Sequence, residues 1–119
     1  MNTEPYSDVV RRLFAAPDHA GVLEQGSSVL TEAQGVRVEL SAVVKDGRLA
    51  ALRFRTWGCP HLIAAAESFC ASFEGLDVAE LETFSGAPIS TKLDIPVQKT
   101  SRILVLEDAV RSLHAALAA

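Results

Sequence analysis

Arg53-Phe54-Arg55-Thr56-Trp57-Gly58-Cys59-Pro60-His61-Leu62-Ile63-Ala64-Ala65-Ala66 changes its periodicity in the middle, and that change decides the fold. Apolar and charged residues alternate from Leu52 through Arg55, as in a half-buried strand. Leu62, Ile63, Ala66, Phe69, Cys70 and Phe73 then recur at helical spacing. The switch falls at Cys59. Pro60 stands where proline is tolerated best, at a first helical position, so Cys59 is expected to cap the helix and Gly58 to be the joint before it. A thiol placed there faces unpaired backbone N–H groups and the positive end of the helix dipole, both of which favour thiolate over thiol. Cys59 is therefore a candidate nucleophile or soft-metal ligand, against the plainer expectation of a small buried hydrophobe at a tight junction.

His61 either shares a metal with Cys59 or is an exposed first-turn side chain; Cys-x-His alone falls short of the three or four ligands zinc takes. Cys70 lies on the apolar stripe with Ala66 and Phe73, which assigns it to packing. The two cysteines sit about three helical turns apart, too far to be bridged, so both are expected as free thiols.

Working backwards, Val36, Val38, Leu40 and Ala42 alternate with Arg37, Glu39 and Ser41, and Asp46-Gly47 is a hairpin signal that pairs this strand with Arg48 to Trp57. A weaker strand runs from Ser27 to Glu32. Arg53 and Arg55 are expected to keep the outer sheet face wet. Val9, Val10, Leu13 and Phe14 mark a short amphipathic helix capped by Ser7, which Pro17-Asp18-His19-Ala20-Gly21 ends. His19, a loop histidine with no second ligand nearby in sequence, reads as solvated.

Working forwards, Asp77 with Glu80 resembles a capping box before a short helix at Val78 to Thr83, and another is expected around Ile89 to Leu93 after Ser85-Gly86-Ala87-Pro88. From about Arg102, Ile103, Leu106, Val110, Leu113 and Leu117 form the stripe of a final helix, with Thr100 and Ser101 as caps and Glu107, Asp108 and Arg111 in water. His114, in the same helix, offers nothing specific. The result is an α+β plan over residues 1–119, a single domain in which a three-stranded antiparallel sheet has helices packed on one face.

Of 119 residues, 11 are basic and 15 acidic, a net charge of −4 with no basic run, which argues against a nucleic-acid binder. No charged segment followed by an apolar run opens the chain, and no stretch nears the ~20 apolar residues that cross a bilayer, so no membrane role and a cytoplasmic location are expected. Neither a phosphate-cradling glycine loop nor a Gly-x-Ser-x-Gly elbow occurs, which leaves an ordinary hydrolase unsupported.

Four pieces in order resemble the IscU/NifU-type iron-sulfur cluster scaffold family: Tyr6-Ser7-Asp8-Val9-Val10; Pro17 to Gly21; Arg53 to Cys59 with the alanine-rich helix start; and Leu104-Val105-Leu106-Glu107-Asp108-Ala109-Val110. The resemblance implies the same α+β fold, shared with the SufE sulfur acceptors, and a role in iron-sulfur cluster assembly with a cysteine desulfurase or other assembly proteins as partners. It also exposes departures. The family uses three cysteines with an aspartate and a histidine; here only Cys59 matches, Ala33 or Gln34 fills the first cysteine position, and Ser101-Arg102 replaces His-Cys before the last helix. The chaperone-recognition segment becomes Asp94-Ile95-Pro96-Val97-Gln98-Lys99.

One thiolate cannot enclose a [2Fe-2S] unit, for which four are common, so a cluster or iron would be shared with a second chain, as in a homodimer, or with glutathione. Arg102 would set a cation beside Cys59 and suit a persulfide or thiolate. The expected function is thus a divergent scaffold or a sulfur or iron carrier acting through Cys59, rather than a turnover enzyme. The alternatives are an interaction protein that kept the fold and lost the site, or a zinc-binding module using Cys59 and His61.

Overall fold

The computed structural model describes residues 6–118, so the readings made above of residues 1–5 and 119 lie outside it. The alternating stretches form a meander of β1 (Ser27–Ala33), β2 (Val36–Lys45) and β3 (Arg48–Trp57), antiparallel and ordered β1-β2-β3. Val36, Val38, Leu40 and Ala42 turn inward, with Val29 and Phe54 facing Leu40 from either side in register. Both turns hold two left-handed residues, Gln34 (φ 52) with Gly35 (φ 74) and Asp46 (φ 54) with Gly47 (φ 76). Such turns match the strand twist. Gln34 carries a Cβ into that region without the short polar side chain that makes Asn or Asp tolerable. Gln34→Asn or Gln34→Gly is therefore expected to stabilise the chain by about 0.5–1 kcal/mol, read as a raised urea midpoint at unchanged slope.

α2 (Pro60–Phe73) and α4 (Thr100–Ala118) cover the inner sheet face, while α1 (Asp8–Ala15) packs on α2 and α3 (Gly86–Lys92) on α4. The core between the layers holds Leu62, Phe69 and Cys70 of α2 with Ile103, Leu106, Val110 and Leu113 of α4. Full burial of one such leucine or phenylalanine contributes roughly 1.5–3 kcal/mol, more than the ~1 kcal/mol of a helix cap. That balance explains two departures from expectation. Thr100 does not cap α4, because the helix runs straight on from a 3-10 turn at Val97–Lys99 and Thr100 already has helical angles (φ −58, ψ −37). Asp77 precedes a 3-10 turn at Val78–Thr83 without accepting a side-chain cap bond.

Ser7 does cap α1, accepting the Val10 N–H at 3.2 Å. α3 starts earlier than expected, at Gly86, because Ser85 accepts the Ala87 N–H and Pro88 falls in the first turn, where its missing donor costs nothing. Glu107 is not in water: its carboxylate accepts the Gly86 N–H at 2.6 Å and ties α3 to α4.

The outer edge of β3 is covered by loops. Leu49 N–H donates to Leu76 O (2.8 Å), Gly75 N–H to Leu49 O (2.7 Å), Leu52 N–H to the Glu74 carboxylate (2.9 Å) and Phe54 N–H to His19 O (2.9 Å). Covering an edge strand in this way removes a template for unwanted pairing. No helix among the described residues is long and apolar enough to cross a membrane.

Candidate functional site

The strand-to-helix switch lies where the sequence places it. Cys59 is the N-cap of α2, extended at φ −82 and ψ 163, with Pro60 in the first turn and no cap bond from the thiol. Its carbonyl accepts the Leu62 and Ile63 N–H groups (3.0 and 3.2 Å). Because Pro60 brings no donor, His61 N–H is the remaining first-turn group, and a helix offers it no internal acceptor. Cys59 is half-buried at the margin of the core. Gly58 permits the tight approach before it: a Cβ there would stand 3.0 Å from both Val36 Cγ1 and Leu62 Cδ2. The β1–β2 turn therefore abuts the Cys59 junction.

His61 is neither an exposed first-turn residue nor hydrogen bonded to Cys59. The residue is 3% exposed, both ring nitrogens lack a partner among the described residues, and the Tyr6 ring lies 4.8 Å away. Burial first, and then the charges of Lys99 and Arg102, hold its protonation below the ordinary value of 6.5. This brings the start of α4 to the start of α2. Val36, at the end of the Gln34–Gly35 turn, thus stands against the Cys59 junction, and the charges of Lys99 and Arg102 reach His61 in the first turn of α2. Lys99, whose role sequence reasoning missed, adds a second cation; its only sequence signal was its place just before Arg102.

An imidazole kept neutral in the fold takes up a proton near 6.5 when unfolded, so stability falls as pH drops below that value. His61→Leu is expected to flatten this acid limb and to stabilise the chain by about 1–3 kcal/mol, the range for removing an unsatisfied buried polar group. Urea titrations of both chains between pH 5 and 7, about the span over which histidine changes charge, check both statements.

Cys70, the other thiol, is fully buried, and burial, reinforced by the nearby Glu67 and Glu74 carboxylates, pushes its ionisation far up. Among the described residues no three of His, Cys, Asp and Glu converge to hold a metal. The single chain does not fit a [2Fe-2S] cargo: Cys59 is its one accessible thiol and Cys70 is sealed in the core.

His19 corrects the expectation of a solvated loop residue. Its Nδ1 meets Glu67 Oε2 at 2.6 Å, its main-chain N–H donates to Glu67 Oε1 at 2.7 Å, and its Nε2 lies 3.3 Å from Glu74 Oε1. Arg53, expected in water, donates to Glu74 at 2.8 Å. Burial pushes the Glu74 carboxyl up, but the hydrogen bonds from Leu52, Arg53 and His19 outweigh it and hold the group below its ordinary range. On the outer sheet face Trp57 is flanked by the guanidinium groups of Arg37 and Arg55, at 5.7 and 5.6 Å from its ring.

Residues 5–118 match the family described as "NifU-like N terminal domain". Among solved structures, the chain is similar to a protein from Fervidobacterium islandicum AW-1, provisionally described as an iron-sulfur cluster assembly scaffold for the SUF system. The TM-score is 0.74 at 12% identity, over 92% of this chain and 96% of that one. A nitrogen-fixing NifU-like protein (N-terminal) from Brucella abortus gives 0.67 at 12% identity, over 92% and 94%. A hypothetical protein gives 0.61 at 18% identity, over 87% and 94%. None of the curated proteins matches the sequence.

Proposed function

The chain belongs to the NifU-like N terminal domain family, and from that premise we propose that it serves iron-sulfur cluster assembly by carrying sulfur on Cys59. The observation that carries this reading is the contrast between the two thiols of α2: Cys59 half-buried at the helix start, Cys70 closed in the core. In the transfer step the Cys59 thiolate attacks the outer sulfur of a persulfide on a cysteine desulfurase. A new S–S bond forms to Cys59, the donor's S–S bond breaks, and the donor thiolate leaves with the electron pair and takes a proton. The exchange is redox-neutral. Arg102 stands where the resemblance puts a ligand cysteine, and its charge and that of Lys99 reach His61, two positions after Cys59.

A cluster on this site would need thiolates from a second chain or from glutathione, and zinc on Cys59 and His61 would likewise need outside ligands. The two cations beside His61 oppose a metal cation there. Contact with assembly partners is supported by Val97, 85% exposed in the segment that parallels the chaperone-recognition motif.

Incubation with a cysteine desulfurase and cysteine, followed by intact mass and peptide mapping, tests the reading. One added sulfur on Cys59 and none on Cys70 is expected. In parallel, anaerobic iron and sulfide should give no cluster chromophore on monomer. The lack of three converging ligands among the described residues also suits one rival, an interaction protein without chemistry. Under that rival, Cys59→Ser would leave both partner binding and phenotype unchanged.

A further inference from the structure

The loop cover of β3 stops one step short of the end of the strand. The N–H and C=O of Phe54 both point away from β2, to His19 O (2.9 Å) and to Gly21 N–H (2.8 Å). Alternate residues of an antiparallel strand share that direction, and the β2–β3 register is unbroken from Leu52 to Trp57. The N–H and C=O of Thr56 therefore face outward too. Among the described residues no backbone group outside the sheet bonds to either. The chain pairs Ala20 with Phe54, then swings off at Gly21 (φ 135) across the outer face, where Leu23 N–H meets Ser41 Oγ at 3.1 Å. The Thr56 hydroxyl is buried and also without a partner among the described residues. Beside this opening is a groove of about 510 Å³, lined by Phe14, Pro17, Phe54, Thr56, Trp57 and Ile63. Phe14 and Trp57 are 45% and 46% exposed.

An unpaired strand edge selects an extended backbone, because only that conformation presents N–H and C=O groups at matching spacing. Apolar walls beside it select a large apolar side chain. We infer that the open end of β3 is a docking slot for an extended segment of a partner protein. The segment adds as a short strand at Thr56, in the place the chain leaves at Gly21, and seats an apolar side chain against Phe14. The chain itself fills the neighbouring edge position with Ala20, opposite Phe54, and β3 ends at Trp57, so the opening takes a short segment and not the whole edge strand of a second copy. It ends three residues before Cys59, so a docked partner is brought to the thiol. The inference does not depend on sulfur transfer, since neither Phe14 nor Thr56 takes part in it.

The test is amide hydrogen exchange by NMR on the full chain, with a set of capped hexapeptides alternating threonine with leucine, phenylalanine or tryptophan. On saturation the Thr56 amide is expected to exchange about tenfold more slowly. Phe14→Arg is expected to weaken binding about tenfold or more while thermal unfolding stays unchanged. Several results overturn the inference: no peptide of the set binds, peptides bind without protecting Thr56, or binding is indifferent to Phe14→Arg. So does a Thr56 amide already protected in the free chain, whether released by deleting residues 1–5 or growing with protein concentration, because the slot then belongs to the chain itself or to a second copy.

Discussion

Cys59→Ser is expected to abolish sulfur acceptance from a desulfurase, and Cys70→Ala to leave it intact. Serine keeps the size of the side chain but offers no thiolate to attack a persulfide. The substitution also guards against a trivial failure. Serine is among the best N-cap residues and the native thiol makes no cap bond, so α2 should be held as well or better, by about 0.5–1 kcal/mol. A loss of acceptance therefore reports chemistry and not unfolding. The opposite control follows from burial: Cys70 lies in the core with carboxylates nearby that disfavour its thiolate, and no donor of protein size reaches it. Arg102→Glu is expected to slow acceptance about tenfold, with the effect shrinking as salt rises. The readout is intact mass against time for each variant under the same desulfurase.

His19→Ala is expected to cost about 1–3 kcal/mol, the range for taking a hydrogen-bond partner from a buried polar group. Glu67 is 3% exposed and takes hydrogen bonds from the His19 imidazole and main-chain N–H. Removing the ring strands that carboxylate under α2 and loosens the loop that pairs with β3 at Phe54. The double variant His19→Ala, Glu67→Leu should recover most of the loss, because the buried acceptor goes with its donor. Urea unfolding of both single variants and the double variant closes the cycle. Equal destabilisation in the double variant would assign the loss to packing rather than to the pair.

The strand-to-helix switch at Cys59 was legible because its signals are local: alternation up to Trp57, proline at the next position but two, then helical spacing. Asp46-Gly47 and the stripe holding Cys70 were legible for the same reason. His19 was misread because its partners, Glu67 and Glu74, are 48 and 55 residues away, and neither periodicity nor capping encodes a contact at that separation. His61 was left open between exposure and ligation because the Tyr6 ring packed on it and the Lys99 and Arg102 charges that act on it are remote in sequence. Helix starts were missed where packing outweighs capping, as at Thr100, where a preceding 3-10 turn carries the chain directly into α4.

Time-resolved alkylation of the native full chain with iodoacetamide, read by intact mass and peptide mapping, separates the two thiols most directly. One label should appear on Cys59 at a rate within about tenfold of a free thiol, and a second, on Cys70, only when urea unfolds the chain. Two labels arriving together at the unfolding rate would contradict a reachable Cys59 and leave the chain with partner binding alone.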